Sequence, residues 1–176
     1  MRTLLNIILM IMCLQLKVFS QPEKINLATK VDSAMGNKNG KGIAFETGFW
    51  NDILLKSNKE NKIIFIYLHI PGCKPCKWME ENVFISDSVG IFYNRNFINV
   101  NVLDDGKRGL GDFLENKYKM ENGFPAYCFV NPQGKAVAKG FGKKTLKEFL
   151  LLGNYILSLD RKQKENSDID TNQRTK

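Results

Sequence analysis

The feature that most constrains the fold is an apolar stretch that leads directly into a pair of cysteines. Residues 63–68 are all β-branched, aromatic or leucine, Pro71-Gly72 interrupts them, and Cys73-Lys74-Pro75-Cys76 follows. The stretch has the length and composition of a buried strand. Pro75 suits the first turn of a helix, because proline has a fixed φ and the N–H that it lacks is not needed there. The pattern therefore predicts a strand, a tight turn and a helix that begins at the cysteines.

A helix that begins at a cysteine favours a reactive thiolate. Its first turn presents unpaired N–H groups and the positive end of the helix dipole, and both stabilise a negative sulfur. Cys73 stands at this position, and Cys76 follows one turn later, close enough to form a disulfide bond with it. Lys74 adds positive charge that can lower the thiol pKa further. His69, the only histidine, is either a tuning or proton-transfer group or an ordinary packing residue.

Two other interpretations of the cysteine pair have less support. A structural disulfide across so short a loop stabilises little. A zinc site usually has four ligands, often as two such pairs, and here only Cys128 and His69 remain as candidates, without pair spacing. Cys128 itself has the setting of a small buried hydrophobic residue. Redox chemistry is therefore favoured, and we expect no metal site.

A second motif follows further along the chain. It reads Gly123-Phe124-Pro125 and continues as an apolar strand, and Asn131-Pro132-Gln133-Gly134 then forms a turn signal. Together with the cysteine motif and residues 77–84 (Lys-Trp-Met-Glu-Glu-Asn-Val-Phe), it resembles the thioredoxin superfamily, and in particular its exported thioredoxin-like members. The resemblance implies an α/β fold, namely a three-layer α/β/α sandwich with a mixed central sheet. It also implies a cis peptide bond before Pro125.

The resemblance implies a role for each residue of the two motifs. Cys73 would attack a substrate disulfide and Cys76 would resolve the mixed disulfide, with no cofactor beyond this redox-active pair. The backbone before Pro125 would pair with an extended substrate, Phe124 would form an apolar wall, and Gly72 would lie at the rim beside Cys73. The alternative for Pro125 is that it merely starts a strand.

The chain departs from the thioredoxin pattern at two positions. The family's buried acid, which accepts a proton from the resolving cysteine, would fall at Tyr67, and Gly72 replaces the tryptophan that usually precedes the first cysteine. Deprotonation of Cys76 must then depend on water, on Glu80, on Glu81 or on no specific group. Both departures argue against efficient, general thioredoxin-type disulfide reduction.

Local patterns also place the remaining elements. Apolar residues at helical spacing predict helices over residues 49–55, 110–118 and 146–159, and Ser86 resembles the N-cap of a helix over 89–94. Residues 97–103 alternate as a strand, residues 126–130 and 136–141 form a hairpin, and residues 43–45 add a short strand. Because a helix separates them, the strands over 63–68 and 97–103 should be parallel neighbours.

The two ends of the chain differ in composition from its centre. Arg2, a short apolar run and small residues up to Ser20 predict a signal peptide over residues 1–20, with an uncleaved membrane anchor as the alternative. Residues 21–42 are expected to be a flexible lead-in, 43–160 the thioredoxin-like domain, and 161–176 a disordered polar tail.

These features together predict a function and its partners. We expect a periplasmic thiol:disulfide oxidoreductase that acts as a monomer on cysteine-containing envelope proteins, as a reductant, with electrons from a thiol donor. The net charge of +8 comes with scattered lysines and no recognised nucleic-acid motif, so no nucleic-acid partner is expected. The alternative is a non-catalytic binding module or chaperone that uses the groove at Phe124-Pro125.

Overall fold

A computed structural model describes residues 41–120 and 123–174, and for residues 167–174 it describes the backbone alone. The predicted signal peptide over 1–20, and the lead-in up to residue 40, lie outside these ranges. Within the described ranges, no helix is long and apolar enough to cross a membrane.

Four strands form one mixed sheet. They are β1 (Ile63–His69), β2 (Phe97–Leu103), β3 (Ala126–Val130) and β4 (Ala136–Phe141). The sheet order is β2-β1-β3-β4, with β1 parallel to β2 and antiparallel to β3, and with β3 antiparallel to β4. The parallel pair and the hairpin are as predicted. The central strand β1 leads directly into the turn that precedes the cysteines.

In the described part of the chain, five α-helices flank this sheet. They are α1 (Trp50–Glu60), α2 (Lys74–Met79), α3 (Asp87–Asn96), α4 (Leu110–Tyr118) and α5 (Leu146–Arg174). A π-helical turn, Glu80–Phe84, continues α2 without a break. Ser86 occupies the N-cap position of α3, although its side chain makes no capping hydrogen bond.

Alternate residues of β1 face opposite sides of the sheet and build two separate cores. One face carries Ile64, Ile66 and Leu68, which pack with α1 and α4. The other carries Phe65 and Tyr67, which pack with α2, α3 and α5. Since each face of a sheet must be covered to bury its apolar side chains, the result is the three-layer α/β/α sandwich that the resemblance implies.

The chain enters the fold earlier than expected, and without a strand. Gly42, assigned to the flexible lead-in, is buried with φ 78°, and a Cβ there would lie 2.2 Å from the carbonyl oxygen of Phe84. Residues 43–45 form no strand, because their hydrogen bonds go to different elements. The N–H of Ile43 donates to the carbonyl of Phe84 (2.7 Å), and that of Ala44 donates to Oδ1 of Asn94 (2.8 Å).

The last helix is longer than the sequence pattern predicted. The disordered tail expected over 161–176 is instead helical up to Arg174. Residues 161–166 (Arg-Lys-Gln-Lys-Glu-Asn) include several good helix formers, and Lys164 pairs with Asp160 at 2.7 Å one turn earlier. Polarity indicates exposure to solvent, but an exposed helix is also polar, so composition alone does not distinguish a polar helix from a disordered tail.

Candidate functional site

The two cysteines lie where β1 gives way to α2. Gly72 makes the turn with φ 73°, a value that glycine adopts without steric cost. Cys73 is the N-cap of α2, and its sulfur accepts a hydrogen bond from the N–H of Cys76 at 3.2 Å. The two residues form a disulfide bond with their Cα atoms 5.3 Å apart. The helix start that the sequence predicted therefore places the Cys73 sulfur in the field of the first helical turn.

The two sulfurs differ in exposure. Cys73 is half-buried, whereas Cys76 is only 2% exposed and packs into the core beneath the helix. An incoming disulfide can therefore reach Cys73, while Cys76 is shielded behind it. This asymmetry is what an attacking and a resolving cysteine require.

An open cleft of about 440 Å³ lies beside the cysteine pair. Three of the other predicted site residues, Gly72, Lys74 and His69, line it together with Cys73 and Cys76. The cleft also contains residues that the sequence analysis did not assign to a site, which are Ile70, Pro71, Lys77, Glu80, Glu81 and Leu103. Lys74 is exposed, so its charge is largely solvated.

Glu80 is the centre of a small polar cluster in this cleft. The hydroxyl of Tyr67 donates a hydrogen bond to Glu80 Oε1 at 3.0 Å, and Nδ1 of His69 lies 3.9 Å from the same oxygen. The rings of His69 and Tyr67 are stacked, with centroids 5.2 Å apart and planes 11° apart. Glu80 follows Cys76 by one helical turn, so the two side chains share a face of the helix.

Burial sets the protonation state of both rings beside Glu80. Burial, reinforced by the Glu80 carboxylate, raises the pKa of Tyr67 far above the range in which tyrosine ordinarily titrates. Burial lowers the pKa of His69, and Glu80 and Asn101 oppose this effect. Near neutral pH, Tyr67 is therefore a permanent hydrogen-bond donor and the His69 ring is neutral.

The second motif lies directly before β3. The Phe124–Pro125 peptide bond is cis, and the Pro125 carbonyl accepts a hydrogen bond from the N–H of Gly142 at 2.8 Å. The loop after β4 then reaches α2, where the N–H of Lys144 lies 3.2 Å from the sulfur of Met79. Phe124 is half-buried and packs against both cores. Phe124 and Pro125 do not line the cleft, but this loop connects their strand to the helix that carries the cysteines.

The sequence analysis did not assign this loop to the site. Lys143 places its ammonium group 4.5 Å from the centre of the Trp78 ring, two residues beyond Cys76. A Gly-Lys-Lys sequence after a strand has no distinctive pattern, so no local signal marked it. The Tyr67–Glu80 contact had a weak signal, since Tyr67 stands at the position of the family acid and Glu80 lies four residues after Cys76.

Cys128 lies away from the Cys73–Cys76 pair and its cleft. It is fully buried in β3 on the opposite face of the sheet, within the core that α1 and α4 cover. Burial raises the pKa of its thiol to about 12, with Lys139 opposing. Among the described residues, no group of three or more His, Cys, Asp and Glu side chains is positioned to hold a metal ion. Cys128 therefore behaves as a small apolar residue.

Comparison with known proteins identifies a family. Residues 44–171 match the family model Thioredox_DsbH, described as "Protein of unknown function, DUF255". No curated protein matches the chain.

Solved structures share the fold. A putative disulphide-isomerase from Bacteroides thetaiotaomicron is 30% identical, with a TM-score of 0.56 over 64% of this chain and 93% of that one. A structure described as "DsbH Oxidoreductase" is 20% identical, with a TM-score of 0.55 over 67% of this chain and 86% of that one. A thioredoxin from Thermus thermophilus is 21% identical, with a TM-score of 0.53 over 61% and 83%. The thioredoxin-like fold is therefore confirmed.

Proposed function

Because the chain belongs to the Thioredox_DsbH family, we propose that it is an envelope thiol:disulfide oxidoreductase that reduces disulfide bonds in other proteins through Cys73 and Cys76. Its fold, its family and its close cysteine pair are those of a thioredoxin-like enzyme. The observation that carries the proposal is the unequal exposure of two bonded sulfurs at a helix start, where Cys73 is half-buried and Cys76 is buried.

The reaction uses the two cysteines in turn. In the reduced protein, the Cys73 thiolate attacks a substrate disulfide, and one substrate sulfur leaves as a thiolate. The Cys76 thiolate then attacks Cys73 in the mixed disulfide and releases the second substrate sulfur. Two electrons pass to the substrate, and the chain is left with the Cys73–Cys76 disulfide. A thiol donor returns the pair to the reduced state, and no further cofactor takes part.

The substrate-binding groove of this proposal runs past Phe124 and Pro125. An extended substrate segment would pair with the backbone before Pro125, as in strand addition, while Phe124 packs against it and Gly72 leaves room beside Cys73. Lys74 would add positive charge at the edge of this groove. Support comes from the loop that links the Pro125 carbonyl to the redox helix through Gly142 and Lys144.

The location and the direction of electron flow are further parts of the proposal. The predicted signal peptide supports a periplasmic protein that acts as a monomer on cysteine-containing envelope proteins. Reduction is the preferred direction, because the residues after the second cysteine resemble those of reductant-like relatives more than those of strong oxidases. An oxidising compartment then requires a thiol electron donor for each turnover.

The test is the reduction potential of the Cys73–Cys76 couple, measured by equilibration with dithiothreitol or glutathione buffers. A value near that of thioredoxin, about −270 mV, supports a reductant, whereas a value near about −120 mV makes the protein an oxidase and overturns the direction. The absence of a reversible couple would overturn the enzyme and favour the binding module. The Cys73→Ser, Cys76→Ser double variant is the matched control, since a binding module retains substrate binding and cellular function without either thiol.

A further inference from the structure

The resolving step of the proposed reaction needs a proton acceptor close to Cys76. A buried thiol is mostly protonated, because burial disfavours the thiolate. Cys76 is 2% exposed, so bulk water has little access to its proton in the folded protein. The inference below rests on the proposed function, and it concerns which group takes this proton.

The residue at the position of the family acid is unsuited to this task. Tyr67 is fully buried, and its hydroxyl donates its hydrogen bond to Glu80 at 3.0 Å. A neutral phenol whose pKa is raised by burial remains a donor across the physiological range. Tyr67 can therefore hold an acceptor in place, but it cannot accept a proton from a thiol.

Glu80 is placed where an acceptor is needed. It lies one helical turn after Cys76 on a continuous helix, and its N–H donates to the carbonyl of Cys76. Its side chain is 22% exposed and lines the cleft that the cysteines also line. The hydroxyl of the buried Tyr67 donates to one carboxylate oxygen of Glu80 and holds it in place. Because residues four apart on a helix have neighbouring side chains, the Glu80 side chain lies next to that of Cys76. The carboxylate is thus oriented toward the cleft from a buried anchor.

Two neighbours are weaker candidates for the acceptor. Glu81 is 60% exposed and pairs with Lys77 at 3.6 Å, so it lies at the solvent edge without a buried anchor. His69 is neutral near pH 7, but it contacts Glu80 at 3.9 Å and stacks on Tyr67, which indicates a supporting part of the same cluster.

We infer that Glu80 is the proton acceptor for Cys76 and that Tyr67 is the positioning residue that holds it, so that together they replace the buried acid of the thioredoxin pattern. The Cys76 thiol passes its proton to the Glu80 carboxylate, directly or through one water molecule in the cleft. The Cys76 thiolate then attacks Cys73, the bond between Cys73 and the substrate breaks, and the departing substrate thiolate takes up a proton from the Glu80 carboxyl group or from solvent. No other oxidant or reductant is involved.

The groups that act on this proton come from several elements. Tyr67 and His69 approach Glu80 from β1, and Lys77 and Glu81 lie beside it on its own helix. From β3, Tyr127 adds to the rise in the pKa of Tyr67. Because burial raises the pKa values of both tyrosines, neither of them changes its charge in the range in which thiols ordinarily titrate.

The experiment separates the two thiol steps with a small disulfide. In a Cys13→Ser, Cys128→Ala background, which leaves only the active pair, the reduced chain is mixed with 5,5′-dithiobis(2-nitrobenzoate) in a stopped-flow instrument. Attack by Cys73 releases one chromophore in a phase whose rate rises with reagent concentration. Attack by Cys76 releases the second in a phase that is independent of concentration. The two phases therefore report the two cysteines separately.

We expect Glu80→Gln to slow the concentration-independent phase about 100-fold at pH 7, since general bases contribute at least that much. The first phase should change by no more than about threefold. Glu81→Gln is the matched control, because it removes the same charge from the next residue, and it should leave both phases within about twofold. Tyr67→Phe should slow the second phase about tenfold, because the carboxylate remains but loses its anchor.

The pH profile distinguishes a lost proton acceptor from distorted packing. Thiol ionisation increases with pH whether or not a carboxylate is present, so the gap between wild type and Glu80→Gln should narrow steadily as the pH rises, whereas a packing defect would persist at every pH. Glu80→Asp retains a carboxylate at shorter reach and should give an intermediate rate even if Glu80→Gln folds poorly.

Two outcomes would overturn the assignment. One is a second phase that is unchanged in Glu80→Gln, and a loss in His69→Ala would then move the role to His69. The other is an equal loss in Glu81→Gln. Because the reagent is a small molecule, failure to find a protein substrate leaves this result intact. Absence of the concentration-independent phase in wild type, by contrast, would remove the redox function itself and the inference with it.

Discussion

The two faces of the sheet each bury a cysteine next to β1, and the two cysteines have opposite character. Cys128 lies in the middle of β3, opposite Ile66, in a core of mainly aliphatic side chains under α1 and α4. Cys76 lies one turn into a helix, beneath the partner with which it forms a disulfide. Both are nearly inaccessible to solvent. Burial alone therefore does not decide the chemistry of a thiol; its backbone setting and its neighbours do.

The two faces also differ in how many tyrosines they bury. The face that carries Cys128 buries one, Tyr118, whose hydroxyl donates to the carbonyl of Gly134 (3.3 Å). On the face that carries Cys76, three buried tyrosines direct their hydroxyls outward to the surrounding segments. The bonds run from Tyr67 to Glu80 (3.0 Å), from Tyr93 to the carbonyl of Phe149 (2.9 Å) and from Tyr127 to the carbonyl of Gly142 (2.9 Å). Each bond satisfies a buried polar group and ties the core to a helix or loop. This face is thus an aromatic core whose hydroxyls bond to the surrounding helices and loop, and one of them, on Tyr67, reaches the cleft beside the cysteines.

The largest expected effect tests the contrast between the cysteine pair on one face of the sheet and Cys128 on the other. Cys73→Ser should lower the reduction of insulin by dithiothreitol to the uncatalysed rate, because no attacking thiolate remains. Cys128→Ala should leave the catalysed rate within about twofold, because this thiol lies in the other core and has a pKa of about 12. The assay is turbidity against time at pH 7. A large loss in Cys128→Ala, with the fold intact by circular dichroism, would contradict the separation of the two faces.

A second prediction tests the burial of Cys128 through the pH dependence of the unfolding free energy. The folded state holds the pKa of Cys128 at about 12, against 9.0 for an unperturbed thiol, so the unfolded state loses this proton first as the pH rises. The stability that the neutral thiol contributes is therefore complete below pH 9 and is lost as the pH rises toward 12. Between pH 9 and 10, wild type should lose about 1 kcal/mol more unfolding free energy than Cys128→Ala.

The measurement is urea denaturation of the oxidised protein at both pH values. Tyr67, Tyr93 and Tyr127 have raised pKa values as well, and they contribute equally to both proteins. Cys128 also adds to the raised pKa of Tyr118, but its thiol is uncharged in the folded state at pH 9 to 10, so this coupling does not enter the comparison. The difference between the two proteins in the loss of unfolding free energy from pH 9 to pH 10 therefore reports Cys128. An equal loss in both proteins would mean that the Cys128 thiol is not buried in its core.

The smallest expected effect concerns the loop after β4. Lys143→Ala removes the ammonium group that lies over the Trp78 ring, and a partly exposed contact of this kind is worth about 0.5–1 kcal/mol. We expect a loss of that size in urea denaturation. Lys135→Ala, in the turn before β4, is the control and should change the stability by less. Equal effects in the two variants would indicate that the loop does not brace the redox helix through this contact.

Local patterns predicted most of the elements. The strand over 97–103, the helix over 110–118 and the hairpin strands over 126–130 and 136–141 match the structure residue for residue. Each pattern arises from side chains within one element, where period and turn chemistry determine the backbone. The helix α1 ran past residue 55 to Glu60, because its last turn is polar and periodicity does not mark such an end.

What the sequence determined by itself is the strand, turn and helix that place Cys73 at an N-cap, because these depend on neighbours only a few residues apart. Tertiary structure alone decided that Tyr67 reaches Glu80, that Cys128 faces the other core, and that Gly42 packs against Phe84 and Gly90. Such contacts join residues on separate elements, and their geometry follows from how the layers pack. The position of the thiols was therefore predictable from local sequence, whereas the groups that surround them were not.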